Sequence, residues 1–380
     1  MELKDFREQI DSLDRDLVRL FLQRTELAGQ IGDYKRERGL PILDASREEQ
    51  KLEILEQACP PALQGELRQM YRTIFAMSRE VQHRRSPEMI CGLLGRKLGH
   101  SYSPQIHAQL GAYAYSLFER EPEELEDFLR EGEWQGLNVT IPYKKSVLPF
   151  CDALSDTARE IGSVNTLLRR PDGSIYGDNT DAYGFAWLLQ RNGIDPKGKK
   201  ALVLGSGGAS VMACWVLRQR EAREVLVISR SGENHYGNLD RHADAELIVN
   251  TTPVGMYPRN GEAAVDLRQF PNCAGVVDVV YNPARTALLL QAEELGIPHA
   301  GGLGMLVAQA KRSSEIFTGA SIPDTRIEEI HRGLQKEMEN IVLIGMPGCG
   351  KTRIARALGE KLGRPVLEAK REIMKKLVCY

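Results

Sequence analysis

Polar side chains that could hold a small ring cluster in the middle of the sequence, between residues 138 and 181. Asn138-Val-Thr-Ile-Pro-Tyr-Lys144 is followed by Val164-Asn-Thr166 and by Gly177-Asp-Asn-Thr-Asp181, each just past a β-like run. Short polar residues suit the binding of a polyhydroxylated ring, and a lysine with an aspartate suits proton transfer. The stretch therefore predicts a site where a proton moves on or off a small hydroxylated substrate.

A glycine-rich turn follows this stretch. Gly205-Ser-Gly-Gly-Ala-Ser210 lies between the apolar runs Ala201–Leu204 and Val211–Leu217. A strand, a glycine turn and a helix N-terminus are the context in which backbone amides bind the pyrophosphate of a dinucleotide. The glycines alone are also typical of an ordinary tight βα turn, and Ser210 stands where the common fingerprint has its third glycine. Together with the proton-transfer residues, the turn indicates an oxidoreductase.

The next predicted strand indicates which dinucleotide is used. Val225-Leu-Val-Ile228 ends in Ser229-Arg230-Ser231, with no acidic residue. An NAD site places a carboxylate on the ribose hydroxyl at this point, whereas an arginine accommodates the 2′-phosphate of NADP. The predicted cofactor is therefore NADP.

A second group of charged residues lies on predicted N-terminal helices. Apolar residues from Leu3 to Ile31 recur at spacings of three and four, which predicts a helix of roughly 35 residues. Arg24 and Lys35 lie only about 20° apart around this helix, within its apolar stripe. Charges at such positions usually serve a site, because burying them unpaired is costly. The alternative is a solvated dimerisation module whose arginines form surface pairs.

Other polar residues of these helices could complete such a site. Arg7 points roughly 100° away from Arg24, so one helix could present cations to two cavities. Two further helices are predicted near 44–58 and 63–85. Their spacing places the polar residues of each helix on one face, Asp44, Arg47 and Glu48 on the second and Ser78 and Gln82 on the third.

From residue 89 the pattern changes to alternating strands and helices, which predicts a parallel sheet built from βαβ units. A helix is expected at Pro104–Gly111. The predicted strands are Met89–Leu94, Ala201–Leu204, Val225–Ile228, Glu246–Val249 and Gly275–Asp278.

Composition excludes several classes of protein. The 380 residues carry a formal net charge of -2 and are 27% charged, which argues against nucleic acid or a membrane surface as partner. The seven cysteines are scattered without a CxxC pair, so neither a metal site nor a disulfide framework is predicted. No apolar run is as long as a membrane span, and the expected location is the cytoplasm.

The region from about 89 to 330 resembles shikimate dehydrogenase at many separate motifs, including Ser101-Tyr-Ser103-Pro104, Asn250–Pro258 and Gly302–Gln309. The resemblance implies that Ser101 and Ser103 hold the substrate carboxylate and that Lys144, paired with Asp181, acts as acid and base. It implies that the ring hydroxyls and the rest of the substrate contact Thr140, Asn165, Asp181, Tyr281 and Gln309. The implied NADP contacts are Gly205, Ser206, Gly207, Gly208, Ala209, Ser229, Arg230, Val279 and Gly302.

Residues 1–85 resemble the all-helical chorismate mutases. The resemblance implies an intertwined homodimer in which the arginine matching Arg7 crosses into the partner's site. Guanidinium groups would clamp the two carboxylates of chorismate, while Lys35 and Gln82 donate to the ether oxygen. The implied chorismate contacts are Arg7, Arg24, Lys35, Asp44, Arg47, Glu48, Ser78 and Gln82, of which Arg24, Lys35 and Gln82 are the implied catalytic residues.

The C-terminal segment carries a full phosphate-binding loop pattern, Gly345-Met-Pro-Gly-Cys-Gly-Lys351-Thr352, after a predicted strand at Ile341–Ile344. It resembles the opening of shikimate kinase, whose Asp-x-Asp motif aligns with Glu368-Ala-Lys370. The remaining sheet, substrate arginines and lid of that family do not follow. The prediction is a truncated or vestigial P-loop fragment without kinase activity.

These predictions combine into a multidomain fold. An all-α chorismate-mutase-like domain at 1–87 precedes an α/β two-domain dehydrogenase, and a partial P-loop βα unit lies at 336–380. The dehydrogenase comprises a substrate domain at 88–190, completed by 300–335, and an NADP-binding Rossmann domain at 191–299. The leading hypothesis is a bifunctional enzyme of aromatic amino-acid biosynthesis. Three alternatives stay open: quinate as the substrate, a helical segment that only dimerises or regulates, and a nucleotide-dependent regulator.

Overall fold

The structure is a computed structural model that describes residues 3–38, 40, 42–84, 89–99, 101–338, 341–346, 348–362, 366 and 367. These residues divide into two compact units. The first holds the N-terminal helices and the C-terminal segment, and the second comprises Arg36–Pro41 and Ser86–Met338. No described helix has the length and apolar character needed to cross a membrane.

Three helices form the N-terminal part, as the apolar periodicity predicts: α1 at Leu3–Glu37, α2 at Ala45–Gln57 and α3 at Gln64–Arg84. Ion pairs hold α2 against α3, since Arg68 of α3 lies 2.5 Å from Glu56 and 2.8 Å from Glu49. The apolar stripe of α1 is not covered in the single chain. Its side chains remain roughly half exposed or more, as for Phe6, Ile10, Leu13 and Leu17.

The second unit begins with a lobe built on a six-stranded sheet of order β2-β1-β3-β5-β6-β4. Four α-helices accompany it, of which α7 also packs against the core of the following lobe. In chain order the elements are β1 (Ile90–Gly95), α4 (Ser103–His107), β2 (Ala114–Glu119), α5 (Leu125–Glu131), β3 (Gly136–Val139), β4 (Ala153–Leu154), α6 (Asp156–Ile161), β5 (Thr166–Arg169), β6 (Ile175–Asp178) and α7 (Thr180–Arg191).

This first sheet differs from the parallel sheet expected from the sequence, because β5 runs antiparallel to both β3 and β6. The connection between β5 and β6 is too short for a crossover, so the two strands must form a hairpin. Its turn contains Gly173 at a φ of 86°, which a glycine adopts without strain. Helix α4 is also shorter than the expected 104–111, because after His107 the chain continues in i→i−3 turns.

The following lobe is an all-parallel five-stranded sheet of order β11-β10-β9-β7-β8, which confirms the predicted βαβ architecture. Strand β7 is buried at every position, as a central parallel strand should be. The elements are β7 (Lys200–Leu204), α8 (Gly208–Gln219), β8 (Glu224–Ile228), β9 (Leu247–Asn250), β10 (Gly275–Asp278), α9 (Ala287–Glu294) and β11 (His299–Gly301).

Two further helices return the chain to the first lobe: α10 at Leu303–Thr318 and α11 at Thr325–Met338. Buried residues of α10, such as Val307 and Ala308, pack with Ile106 of α4 and Ile327 of α11 in one apolar cluster. Helix α10 also presents polar side chains to the first lobe, since Ser313 bonds to Asn138 of β3 and to Thr180 of α7.

The C-terminal segment forms the helix α12 at Lys351–Leu362 but not the expected strand at 341–344. Residues 341–346 have no regular structure, and Val342 and Ile344 are 74% and 91% exposed. A strand is stable only when a neighbouring strand pairs with its backbone, and none of the described strands does so here. Pro347 and the Glu368–Lys370 alignment lie outside the described residues.

Candidate functional site

Lys144 and Asp181 form a direct ion pair in the second unit. Lys144 lies in the turns that follow β3, and Asp181 lies in the first turn of α7. The Lys144 Nζ is 2.5 Å from Asp181 Oδ2. The Lys144 carbonyl also accepts a hydrogen bond of 2.8 Å from the Val164 N–H, which fixes the lysine backbone beside the next motif. The two side chains are 31% and 17% exposed, so a ligand in the cleft can reach them.

Asn165 is buried beside this pair and is held by its oxygen. Its Oδ1 accepts hydrogen bonds from the Thr180 N–H at 2.7 Å and from the Thr166 hydroxyl at 3.1 Å. The Asn165 backbone also joins the ends of β3 and β6, through Val139 and Asp178. The polar stretch predicted from the sequence is therefore one connected structure.

Ser101 and Ser103 flank a tight turn at the start of α4. The Ser101 hydroxyl accepts a hydrogen bond of 3.2 Å from the Ser103 N–H, and Ser103 is 7% exposed. Tyr102, between them, meets Tyr281 edge-on, with ring centroids 6.1 Å apart. Because Tyr281 follows β10, this contact brings the serine turn next to the lobe of the five-stranded sheet. Burial raises the pKa of the Tyr281 hydroxyl.

The remaining predicted substrate residues approach from two elements. Thr140 directly follows β3, where its N–H donates to the Leu94 carbonyl at 2.9 Å. Gln309 lies on α10 and is 8% exposed. Its Nε2 donates to the Leu306 carbonyl at 2.9 Å, and its Oε1 lies 3.4 Å from the Thr180 hydroxyl. Gln309 is thus tied to the polar residues at the start of α7.

The glycine turn between β7 and α8 is open where a dinucleotide phosphate would bind. Gly205 has a φ of 106° and packs against Thr251 and Thr252, so a side chain there would be strained. At Gly207 and Gly208, by contrast, an added Cβ would meet nothing within 4 Å. Gly207 is the N-cap of α8, and its neighbours Ser206 and Ala209 complete the turn. The amides at this helix N-terminus fit an anionic pyrophosphate.

A second backbone approach lies at the far end of β10. A Cβ on Gly302 would lie 2.1 Å from the Val279 carbonyl oxygen, so only glycine fits. Asp278, which directly precedes Val279, is fully buried and accepts hydrogen bonds from Thr286 at 2.6 Å and from Asn250 at 2.9 Å. Burial raises the pKa of the Asp278 carboxyl, while these hydrogen bonds oppose the increase. The two predicted cofactor residues Val279 and Gly302 are thus in contact.

Ser229 and Arg230 follow β8 at the edge of the second sheet. Arg230 is exposed, and its guanidinium makes no hydrogen bond or ion pair with any residue that the structure describes. The Ser229 hydroxyl donates to the Ser231 carbonyl, which turns the chain at this point. The open glycine turn, the close approach at Gly302 and the unengaged arginine together fit a dinucleotide that carries a 2′-phosphate.

In the first unit, two of the predicted site residues of α1, Arg24 and Lys35, face α3 and the loop before α2. The Arg24 guanidinium donates to the Ser78 hydroxyl and lies 5.6 Å from the centre of the Phe75 ring. Lys35 Nζ donates to the Ile42 carbonyl at 2.6 Å. Burial lowers the pKa of Lys35, while Asp44 and Glu48 oppose that change. Arg24 and Lys35 are therefore partly buried cations, as their place in the apolar stripe predicts.

Asp44, Arg47 and Glu48 do not all lie on the helix face expected for them. Asp44 is the N-cap of α2, outside the helix, and its carboxylate accepts a hydrogen bond of 3.0 Å from the Arg47 N–H. An aspartate is favoured at this position because it satisfies a helix amide that has no partner within the helix. Glu48 is held by Arg79 of α3, with N–O distances of 2.5 and 2.7 Å.

Gln82 packs against α1, whereas Arg7 lies far along the same helix. Gln82 is 7% exposed and packs against Gly32, where an added Cβ would lie 3.0 Å from the Gln82 Cα. Arg7 is exposed near the start of α1. At about 1.5 Å per residue, Arg7 lies roughly 25 Å along the helix from Arg24. Within one chain, Arg24 therefore contacts Ser78, and Gln82 packs against α1 at Gly32, one helical turn from Lys35. Arg7 does not join them.

Several residues that support the two sites do not stand out in the sequence. Arg79 holds Glu48, and Tyr102 contacts Tyr281. Thr166, Thr180 and Ser313 form a buried hydroxyl group behind Asn165. Both threonines stand inside motifs that the sequence shows, so their small β-branched polar type was the available signal. Ser313 follows Gln309 by one helical turn, which is a weaker signal.

In the C-terminal segment, the Lys351 side chain folds back on residues of the predicted phosphate-binding loop. Lys351 Nζ donates to the carbonyls of Gly345 and Met346, each at 2.6 Å. Gly348 and Gly350 have φ values of 80° and 84°, which glycine adopts freely. Thr352 follows within the first turn of α12.

Comparison with known proteins gives the family. Residues 93–167 match the model of the shikimate dehydrogenase substrate binding domain. The NADP(+) shikimate dehydrogenase of Clostridium perfringens is 36% identical over 265 residues, which are 64% of this chain and 97% of that protein. The chain belongs to the shikimate dehydrogenase family. This dehydrogenase also resembles the Thermus thermophilus enzyme in complex with NADP(H) and shikimate, at 32% identity and a TM-score of 0.59, over 64% of this chain and 99% of that chain.

The helical part of the dehydrogenase chain matches a second family. Residues 6–83 match the model of chorismate mutase type II, so the chain carries a chorismate mutase domain before the dehydrogenase. A chorismate mutase/shikimate 5-dehydrogenase fusion protein from Clostridium acetobutylicum is also similar, at 38% identity with a TM-score of 0.62. That match covers 66% of this chain and 98% of that chain. The Clostridium perfringens and Thermus thermophilus proteins are both named with NADP, the cofactor that the arginine after β8 predicts.

Proposed function

We propose that this chain is a bifunctional enzyme that interconverts 3-dehydroshikimate and shikimate with NADP and rearranges chorismate to prephenate. The observation that carries the first activity is the Lys144–Asp181 ion pair, 2.5 Å long, next to the buried amide of Asn165. A lysine held by a carboxylate beside a donor for hydroxyl groups is suited to proton transfer on a hydroxylated ring.

Reduction of a ring ketone requires a hydride at carbon and a proton at oxygen. NADPH supplies the hydride when it is bound. The Lys144 ammonium donates the proton to the ketone oxygen, and in the oxidation direction the neutral amine accepts the proton from the hydroxyl. Asp181 orients the lysine and balances its charge. Ser101 and Ser103 bind the carboxylate, while Thr140, Asn165 and Gln309 bind the ring.

The cofactor would bind along the second sheet. The turn Gly205–Ala209 receives the pyrophosphate at the N-terminus of α8, and Ser229 with Arg230 receives the 2′-phosphate. Val279 and Gly302 provide the close backbone surface nearer the substrate lobe. Tyr281 connects this surface to the serine turn.

Lys144→Met tests the proton-transfer role, with Lys145→Met as a matched control. Both lysines lie in the same turn, but Lys145 is exposed and makes no ion pair with a described residue. We expect Lys144→Met to lower kcat for NADP-dependent shikimate oxidation by about 10²- to 10⁴-fold, the usual range for a lost acid or base. Lys145→Met should retain the wild-type rate. Similar rates for the two variants would contradict the assignment.

The mutase activity needs no nucleophile, because the reaction is an intramolecular rearrangement. Arg24 and Arg47 would bind the two carboxylates and hold the compact conformer. Lys35 and Gln82 would donate to the ether oxygen, where negative charge develops. Ser78, Asp44 and Glu48 complete the site through the contacts that hold Arg24 and α2. Unchanged chorismate turnover in an Arg24→Ala variant would refute this role.

The helical domain is proposed to form a homodimer. The apolar stripe of α1 is exposed, which is unusual for a stable soluble surface of that length. Arg7 lies roughly 25 Å from Arg24 along α1, so it can complete a site only in a second subunit. Mixing inactive Arg7→Ala and Arg24→Ala variants should restore mutase activity, because a mixed dimer contains one intact site. No recovery after subunit exchange would contradict the shared site.

Two readings of this chain compete with the full proposal. Quinate could replace shikimate as the substrate, and kcat/KM measured with each separates the two. The helical domain could serve only for dimerisation, in which case purified chain would not consume chorismate. The P-loop segment is proposed to lack kinase activity, because residues 341–346 form no strand and Lys351 binds its own loop. ATP-dependent phosphorylation of shikimate would contradict that statement.

A further inference from the structure

A closed set of hydroxyl groups lies directly behind Asn165. We call it the hydroxyl triangle: Thr166 of β5, Thr180 of α7 and Ser313 of α10, each 2% exposed or less. The Ser313 hydroxyl is 2.8 Å from that of Thr166 and 2.9 Å from that of Thr180, and the two threonine hydroxyls are 3.1 Å apart. Three separate elements therefore meet at one polar point within the core.

The hydrogen bonds fix which end of the Asn165 amide faces the substrate. The Thr180 backbone N–H can only donate, so the atom 2.7 Å away must be the amide oxygen. The hydroxyls of Thr166 and Thr180 lie 3.1 and 3.2 Å from the same oxygen. A carbonyl oxygen accepts about two hydrogen bonds, so this one is saturated. The Asn165 NH2 group donates to no described residue and is left for the ligand.

Ser313 has fixed partners of its own. The Tyr115 hydroxyl donates to Asn138 Oδ1 at 2.8 Å, which directs the Asn138 NH2 group to the Ser313 oxygen, also at 2.8 Å. The Ser313 hydroxyl can donate to the Gln309 carbonyl at 3.0 Å. One lone pair of Ser313 then remains for a threonine hydroxyl. Ser313 thus links the threonines to a rigid donor on β3 and to the helix turn that carries Gln309.

We propose that Ser313 is a positioning residue for the substrate amide Asn165. Its oxygen accepts from one threonine hydroxyl, so the other threonine hydroxyl and the Thr180 N–H donate to the amide oxygen. This arrangement directs the NH2 group at an oxygen of the substrate ring. The ligand atom opposite Asn165 is accordingly a hydrogen-bond acceptor, a hydroxyl or carbonyl oxygen. This inference rests on the proposed shikimate site and explains how the fold orients one of its residues.

The test compares Ser313→Ala with Ser314→Ala. Both serines lie on α10, both are fully buried, and the Ser314 hydroxyl has no hydrogen-bond partner among the described residues. Each substitution removes one buried hydroxyl group from the same helix. We expect Ser313→Ala to lower kcat/KM for shikimate by about three- to tenfold, as for one lost buried hydrogen bond. The KM for NADP should stay at the wild-type value, and Ser314→Ala should match wild type for both substrates.

A double-mutant cycle shows whether Ser313 acts through Asn165. In an Asn165→Ala background, Ser313→Ala should change kcat/KM by less than about twofold, because the group it positions is gone. Thr166→Ser keeps the hydroxyl and should retain activity, whereas Thr166→Val should reproduce the Ser313→Ala loss. The threonine pair carries the test if Ser313→Ala does not fold.

Two results would overturn the positioning role: equal effects of Ser313→Ala and Ser314→Ala, or fully additive effects of Ser313→Ala and Asn165→Ala. A failure of the proposed function looks different. In that case wild-type chain would not oxidise shikimate, or Asn165→Ala would be as active as wild type.

Discussion

His107 is buried against Tyr115, the residue that bonds to Asn138 beside the hydroxyl triangle. This burial predicts how the unfolding free energy of the dehydrogenase unit changes in acid. The imidazole is 1% exposed and stacks on the Tyr115 ring, with centroids 4.0 Å apart. Its Nδ1 lies 2.7 Å from the Tyr113 hydroxyl, and its Nε2 has no partner among the described residues. Burial lowers the pKa of His107 from the usual 6.5 to about 3. The folded protein therefore holds this imidazole neutral.

The sign of the effect follows from proton binding. Between the two pKa values the unfolded chain binds a proton at His107 that the folded chain does not, so stability falls as the pH drops below 6.5. At about pH 5 this linkage removes about 2 kcal/mol from the unfolding free energy, and at about pH 7.5 almost nothing. His107→Phe keeps the ring stacking but cannot bind a proton. Its destabilisation relative to wild type should therefore shrink by about 2 kcal/mol between those two pH values.

Tryptophan fluorescence during denaturant unfolding measures this difference in the right part of the chain. The three tryptophans, Trp134, Trp187 and Trp215, all lie in the second unit, so the helical domain does not contribute. Comparing wild type with His107→Phe cancels the other groups that titrate in this range. If the free-energy difference between the two proteins is the same at both pH values, His107 is not held neutral by burial and the reasoning fails.

Three further predictions test other parts of the structure. Arg230→Ala should weaken NADP binding by about tenfold or more, the cost of a lost charge-assisted hydrogen bond, and should leave NAD binding unchanged. Equal losses of affinity for NADP and NAD, measured by fluorescence titration, would contradict the 2′-phosphate role. Because burial lowers the pKa of Lys35, its charge is lost at a lower pH than for an exposed lysine. The pH at which mutase activity declines on the alkaline side should therefore be higher in Lys35→Arg than in wild type, even if the maximal rate of the variant is lower. A decline at the same pH in both proteins would refute this. Gly302→Ala should lower the unfolding free energy by about 1–3 kcal/mol. Gly333→Ala, which adds a methyl group in open space on α11, should raise it slightly. Equal stabilities of the two variants would contradict the close approach of Gly302 to the Val279 carbonyl.

Much of the architecture follows from sequence patterns. The three-and-four spacing on α1 predicts a single helix, and the structure has it at Leu3–Glu37. The β-branched runs predict the parallel strands β7 to β10, because buried parallel strands read as continuous apolar segments. The Gly205 turn is recognisable because a strand, glycines and a helix follow one another in the order that the βα turn requires.

Other features depend on contacts that no local pattern encodes. The strand expected at 341–344 is absent because strand formation needs a pairing partner, not only β-branched residues. Asp44 is a cap rather than a helical residue, a difference of one position that decides where its carboxylate points. Ser313 joins the site only because α10 packs across the ends of β5 and α7, which sequence spacing does not reveal.

The same limit applies to the site itself. Lys144 and Asp181 stand far apart in the chain, and their motifs predict a shared site because both follow β-like runs at one edge of a sheet. The structure adds the distance between them and the saturated oxygen of Asn165. The direction in which Asn165 donates could not be predicted, because it depends on the backbone N–H of Thr180.

The initial rate of NADPH formation from shikimate and NADP decides whether the chain is an NADP-dependent shikimate dehydrogenase. The full chain should form NADPH readily, with NADP strongly preferred over NAD, and the rate should collapse in Lys144→Met. No NADPH formation by wild-type protein that is folded by tryptophan fluorescence would contradict the account.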